Sequence, residues 1–244
     1  MTIASIEDAL ARAGVTDAAL TAAERDTMDT QGFAVLRGVL DGPRCAGLLE
    51  TFERKYLPAD QWPAPRESGT RHALLDHEPD VRGACLAPRL LAAVHHILRR
   101  RFYLATVQGR DPSPGGGYQH LHRDWVAPAG PAPQVMAIAF LEPFGAANGT
   151  TRVVPGHHLL AGGANAYQHF GEHHPEQVAV EGGAGDVLVL DGYLPHSGTR
   201  NQSGAPRRSL QMVFRTIEWH ARHVETRDLA AELPQIRYLL GQDA

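Results

Sequence analysis

The residues best suited to chemistry are concentrated in Gln119-His120-Leu121-His122-Arg123-Asp124-Trp125. Two-residue alternation along a strand would place His120, His122 and Asp124 on one face. A third metal donor must come from elsewhere, and His196 is the best placed. It closes Asp191-Gly192-Tyr193-Leu194-Pro195-His196, just past an apolar strand, where a loop can return it to the first pair. Two imidazoles and one carboxylate on one side of Fe(II) leave adjacent coordination positions open for a bidentate ligand and O₂. Surface His and Asp pairs are common, so His-x-Asp alone decides nothing. Eleven residues beyond His196, however, stands Arg207. An arginine binds a carboxylate through two parallel N–H donors and stays charged, as anchoring a dicarboxylate requires.

The elements that must position these residues are readable from periodicity. Residues 3–60 read as largely helical. Ile3, Ile6 and Leu10, then Leu48, Leu49 and Phe52, fall at helical spacing, Asp41-Gly42-Pro43 marks a helix start, and Phe33–Leu36 forms a short strand between. A second helical stretch, about Pro88 to Arg101, ends in the basic run Arg99-Arg100-Arg101, read as a solvated helix end. From Phe102 the texture changes to short apolar or alternating segments: 102–108, 134–141, 151–154, 186–191 and 207–217. Such spacing argues for a sandwich or barrel. One domain over 1–244 is expected, with 1–101 as largely helical support, 102–217 as the β core and 218–244 as a C-terminal helical segment.

His122-x-Asp124, then Asn148-Gly149-Thr150-Thr151-Arg152-Val153-Val154-Pro155-Gly156-His157, then His196-Ser197-Gly198-Thr199-Arg200-Asn201 with Arg207, resembles the phytanoyl-CoA dioxygenase (PhyH) family in order and spacing over roughly 100–215. The resemblance implies a double-stranded β-helix, a jelly-roll relative of the cupins, that uses Fe(II), 2-oxoglutarate and O₂. It makes His122, Asp124 and His196 the iron ligands and Arg207 the grip on the distal carboxylate of 2-oxoglutarate. It also implies hydroxylation of an unactivated C–H bond in a small-molecule metabolite, with release of succinate and CO₂. Halogenation is disfavoured, because related halogenases carry Gly or Ala where Asp124 stands. Some relatives have serine two positions after the distal histidine, where this chain has Gly198. Ser209 or Thr199 could take over that contact, and Gln108 is a further candidate partner for the co-substrate.

Other conspicuous residues carry a weaker signal. His120 reads as supporting the site from behind, since a fourth ligand would take a position that O₂ or co-substrate needs. His157-His158 and His173-His174 read as solvated loop residues. Trp125 is a candidate for closing the substrate pocket, and Arg71 for pairing with an anionic substrate, although an exposed arginine is its plainer account. Two other readings stand beside the oxygenase. A cupin-type metalloenzyme without 2-oxoglutarate would build on His120-Leu121-His122, but cupins usually place Glu a few residues later and Asp124-Trp125-Val126-Ala127 follow here. A non-enzymatic jelly-roll binding protein would use the histidines only structurally.

Composition narrows the partners. A formal net charge of -4 and a pI near 6.4 give no electrostatic basis for nucleic acid or an anionic membrane, which leaves a small molecule. Cys45 and Cys85 are too few for a disulfide framework and form no CxxC pair, as a cytoplasmic protein would show. No apolar run is long enough to cross a bilayer.

Overall fold

The computed structural model describes residues 2–58, 70–73, 78–124, 132–160, 173–219 and 233–242. In the N-terminal part α1 (Ile6–Arg12), α2 (Ala22–Gln31), β1 (Phe33–Leu36), α3 (Gly42–Arg54), β2 (Thr70–Ala73), α4 (Pro79–Cys85) and α5 (Pro88–Leu98) follow one another. Then come β3 (Phe102–Pro112), β4 (Gln134–Phe140), β5 (Thr151–Val153), β6 (Val178–Val180), β7 (Val187–Asp191), β8 (His196–Gly198) and β9 (Ser209–Thr216). The short α6 (Pro234–Leu239) ends the described chain. Residues 220–232, the rest of the expected C-terminal helical segment, lie outside the described residues.

Local chemistry fixes the helix ends. Asp41 accepts from the Arg44 N–H, and Pro43 sits in the first turn of α3, as its sequence predicts. Thr21 and Glu24 form a reciprocal capping box on α2, which stops at Gly32 in the left-handed conformation. Helix α5 ends at Leu98, earlier than its basic run suggests, because Arg99 itself turns left-handed (φ 55°) and pairs with Asp29. Arg101 is no solvated helix end either: its guanidinium lies over the Tyr238 ring.

The strands form a six-stranded sheet in the order β1-β7-β4-β9-β3-β2 and a three-stranded sheet β6-β5-β8. All pairings are antiparallel, giving the two-sheet jelly roll that the resemblance implies. Both edge strands of the large sheet come from the N-terminal part, and β2 and β6 carry too few residues to announce themselves in the sequence. One face of the large sheet, with Val135, Ala137, Val189, Leu210, Met212 and Phe214, packs on Leu48, Phe52, Leu90, Leu91 and Leu98 of the helices. The other face, with Met136, Ile138, Leu188 and Leu190, meets Val153 and Val180 of the small sheet. Each fully buried Leu or Phe contributes roughly 1.5–3 kcal/mol. With both faces covered, the inner face can also hold the polar groups of a site.

Two strands set that inner face. Along β9, Leu210, Met212 and Phe214 point to the helices, so Ser209, Gln211, Val213 and Arg215 point inward. Strand β3 carries a bulge between Leu104 and Thr106, where the register against β9 slips by one. Without it, every even-numbered residue of β3 would share one face. The bulge instead leaves Phe102 and Leu104 facing the helices and turns Thr106, Gln108 and Arg110 inward, opposite Val213, Gln211 and Ser209.

Asp191, at the end of β7, accepts from the Tyr193 N–H, and burial pushes its carboxyl up to about 6. The folded state therefore takes up a proton between about pH 4 and pH 6 that the unfolded chain releases, and stability falls as pH rises through that window. Asp191→Asn keeps an acceptor oxygen and removes the charge. It is expected to raise stability by about 1–3 kcal/mol at pH 8 and by far less at pH 4. Urea unfolding at the two pH values measures this, and an equal effect at both would refute the assignment.

Among the described residues no helix is long and apolar enough to cross a membrane. Cys45 and Cys85 are both buried thiols.

Candidate metal centre

His122 and His196 are joined through their backbones: each N–H donates to the other's carbonyl, at 3.0 and 2.8 Å. Direct antiparallel partners project their side chains to the same side, and the two rings lie 4.7 Å apart. Over the described residues 119–124 no continuous strand forms; an isolated bridge joins His122 to His196, and the Gln119 N–H donates to the Gly198 carbonyl at 3.0 Å. His120 accordingly does not join the cluster. It is exposed and packs edge-on against Tyr118.

In both histidines Nδ1 faces a carbonyl two residues back, His120 O at 2.7 Å and Leu194 O at 2.9 Å. A carbonyl only accepts, so Nδ1 carries the proton and Nε2 presents its lone pair. Both Nε2 atoms face Oδ1 of Asp124, at 3.6 and 3.7 Å. Burial holds His196 below the usual histidine range, opposed by the Asp124 charge. The neutral ring is the form that binds a metal. The three donor atoms lie within 4.8 Å of one another, and this donor set fits Fe(II).

The other carboxylate oxygen, Oδ2, accepts from the Gln134 side-chain amide at 3.3 Å, and the Gln134 amide oxygen Oε1 accepts from Arg215 Nε at 2.9 Å. Gln134 and Arg215 face each other across β4 and β9, so the sheet aims Asp124. Nothing near His122 in sequence points to either residue; the signal was a glutamine opening an otherwise apolar strand. Gln134→Leu is expected to weaken metal binding about 10–100-fold while leaving the three ligands in place. Metal titration of the apo-protein checks this, and unchanged affinity would remove Gln134 from the site.

Arg207 and Ser209 line the same cleft as the three ligands. The cleft is open to solvent, and its enclosed space is about 50 Å³. The Arg207 guanidinium is buried, lies over the Phe144 ring at 4.9 Å, and its Nε has no hydrogen-bond partner. Burial pushes its pKa down to about 10. A charged donor left in this state is set for an anion. Its neighbour Arg208 points the other way and is held by Glu142 and Glu53.

The co-substrate candidates separate. A Cβ at Gly198 would stand 2.5 Å from the Gly117 carbonyl oxygen, so the 113–117 loop fills the space that a serine would need. Thr199 cannot replace it, because its hydroxyl is engaged with Thr150. Ser209 stays in the cleft. Gln108 does not line it: its amide oxygen accepts from Arg110, which does. Arg71 lies over Tyr56 and pairs with buried Asp111, to which Tyr56 also donates, and it is outside the lining. Trp125 lies outside the described residues.

The remaining motif residues build walls. Arg152 holds Ser197 Oγ and the Gln119 carbonyl, and Asn201 holds the carbonyls of Pro112 and Ala205. Gly149 adopts φ 79°, where a Cβ would meet the Thr199 oxygen at 2.7 Å. The histidine pairs are not simply solvated. His157 touches Glu176 at 2.9 Å and packs on His174, while His158 is half-buried against α2 and the turn that follows it.

The model of the family described as phytanoyl-CoA dioxygenase (PhyH) matches residues 28–209. The dioxygenase andF of Emericella variicolor is 29% identical over 140 residues, covering 52% of this chain; the chain matches about half (47%) of that relative's length. Among solved structures, HygX from Streptomyces hygroscopicus, with nickel and 2-oxoglutarate bound, superposes with a TM-score of 0.68. It is 21% identical, over 89% of this chain and 94% of HygX. The non-heme α-ketoglutarate-dependent epimerase SnoN from nogalamycin biosynthesis gives 0.67 at 19% identity, over 80% and 82%. These likenesses show the fold.

Proposed function

Because this chain belongs to the phytanoyl-CoA dioxygenase family, we propose that it is an Fe(II)- and 2-oxoglutarate-dependent oxygenase that hydroxylates a C–H bond of a small molecule. One observation carries the reading: a buried guanidinium, Arg207, with an unsatisfied Nε, lines the same cleft as a His-Asp-His donor set. A cupin without 2-oxoglutarate, or a mere binding protein, has no use for that pairing.

In this reading His122, Asp124 and His196 hold Fe(II), which when bound supplies activation of O₂ coupled to oxidative decarboxylation of 2-oxoglutarate. The balance is R–H, O₂ and 2-oxoglutarate giving R–OH, succinate and CO₂. The chain's own residues do the rest. Nδ1–H donation to two carbonyls keeps both imidazoles in the metal-binding tautomer, and Gln134 fixes the carboxylate. Arg207 takes the distal carboxylate of 2-oxoglutarate through two N–H donors, with Ser209 beside it. Met136, Ile138 and Phe144 form the apolar side of the cleft and exclude water from it.

The experiment is one-to-one Fe(II) binding together with succinate formation that requires both 2-oxoglutarate and O₂. Iron binding without any succinate would favour the cupin reading. Absence of both would favour a binding protein.

A further inference from the structure

A second set of metal-ligating side chains comes together outside the cleft lining. It consists of His157, His174 and Glu176, whose donor atoms lie within 4.8 Å of one another, as those of His122, Asp124 and His196 do. Folding makes this meeting, not chain order. His157 opens the short 3-10 turn His157–Leu160, whereas His174 and Glu176 stand on the approach to β6, Glu176 being 19 residues beyond His157. His157 Nε2 faces Glu176 Oε2 at 2.9 Å, and the two imidazole rings pack edge-on with centroids 4.9 Å apart. His174 Nδ1 accepts from the Glu176 N–H at 3.2 Å. Both imidazoles therefore converge on one glutamate.

Each histidine is held by its backbone. The His157 carbonyl accepts from Arg123 Nη2 at 3.1 Å, and Arg123 Nε donates to the Tyr193 carbonyl at 2.7 Å. The His174 N–H donates to Gln177 Oε1, which also accepts from Arg152 Nη1, both at 3.3 Å. These bonds tie the cluster to the 119–124 segment and to β5. Movement is left to the carboxylate, since the Glu176 side chain is 68% exposed against 19% for His157. Four-coordinate Zn(II), about 2.0–2.1 Å from N and O donors, separates neighbouring ligand atoms by roughly 3.3–3.4 Å. A small swing of Glu176 away from His157 makes room for such an ion.

A plain His–Glu contact accounts for the 2.9 Å distance, and a surface pair of that kind contributes little. It does not account for a second imidazole packed on the first and turned to the same glutamate. We propose that His157, His174 and Glu176 form a second metal site, which takes Zn(II) with a water completing the tetrahedron and clamps the turn after β5 to the approach to β6. Two imidazoles and a carboxylate suit a borderline ion, whereas Mg(II) and Ca(II) prefer oxygen ligands. The cluster lies outside the cleft that Arg207 lines, so a redox-silent ion with a structural task fits it better than a second iron. Through the bond from Arg123 to the His157 carbonyl, the clamp also steadies the segment that carries His122 and Asp124.

Zinc stoichiometry tests the inference. Metal-free protein is dialysed against Zn(II) in a weakly chelating buffer that strips loosely held ions, and the bound zinc is counted by atomic emission. The wild type is expected to hold two ions per chain, one at each centre. Glu176→Gln and His174→Ala are each expected to hold one, with the affinity of the second site down more than about 100-fold, beyond the 10–100-fold that losing a supporting residue costs. Asp124→Ala should lose the other ion and keep this one. His173→Ala is the control: its Nδ1 is turned to the Gln177 amide, and the variant should keep both ions. Should His174→Ala fail to fold, Glu176→Gln decides, because it alters an exposed side chain without changing its shape. The inference is overturned if the wild type holds a single ion that Asp124→Ala removes, or if Glu176→Gln keeps two. It is overturned equally if His173→Ala loses the ion that His174→Ala keeps. A single ion that Glu176→Gln removes and Asp124→Ala leaves would uphold this site and break the assignment of the first centre instead.

Discussion

His122→Ala and Asp124→Ala are each expected to lower succinate formation more than about a thousandfold, on the order of 4 kcal/mol in transition-state terms, with the fold intact. Each substitution removes one of three donors that lie within 4.8 Å of one another, and two donors rarely hold a divalent ion against water. The backbone pairing of His122 with His196 does not depend on the side chain. Neither residue belongs to the apolar clusters of the two sheets. The losses to the fold include a local bond from His122 to its own loop and one from Gln134 to Asp124, each about 1 kcal/mol or less net. Iron stoichiometry, succinate formation and the unfolding midpoint should be measured on the same preparations. A variant that keeps both iron and turnover sinks the ligand assignment. A variant that loses its midpoint along with its iron would show that these side chains serve the fold.

The candidate donor set was legible because a metal would impose residue types, and the eleven-residue step from His196 to Arg207 survives as spacing in the chain. What the sequence could not show was set by long-range pairing. His122, His120 and Asp124 look like alternating strand positions, yet the segment meets β8 only through an isolated His122–His196 bridge and a Gln119–Gly198 backbone bond rather than as a continuous strand, and His120 packs on Tyr118 instead. Gln134 and Arg215 are 81 residues apart and meet only when β4 and β9 pair. Arg110 is the sharpest case. Simple alternation from Phe102 would put Phe102, Leu104 and Arg110 on one face, and an apolar start would send that face to the core. A one-residue bulge reverses the second half of the strand, and no residue type in 102–108 announces it. The role of Gly198 was hidden likewise, since its close approach to Gly117 belongs to a loop eighty residues earlier.

Adjacent arginines on the approach to β9 should respond in opposite ways, which makes them a discriminating pair. Arg207 is buried, has an unsatisfied Nε and is pushed down to a pKa of about 10 by its surroundings; in the absence of co-substrate it strains the fold more than it supports it. Arg208 makes two side-chain bonds to Glu142, at 3.1 and 2.7 Å, and a further pair with Glu53, and these hold its proton more firmly than usual. Arg207→Ala removes the partner of a carboxylate that must still be desolvated, so 2-oxoglutarate should bind weaker by about 2–5 kcal/mol, roughly 30- to 5000-fold. The stability of the apo-protein should hold or rise. Arg208→Ala leaves Glu142 half-buried without its main partner, so stability should fall by about 1–3 kcal/mol, while 2-oxoglutarate affinity changes less than about twofold. Calorimetric titration of 2-oxoglutarate into Ni(II)-loaded protein and urea unfolding of the apo-protein read the two quantities separately. If Arg208→Ala were the variant that loses 2-oxoglutarate, the inward face of β9 would be Leu210, Met212 and Phe214. The packing of those three residues against Phe52, Leu91 and Leu98 would then have no explanation.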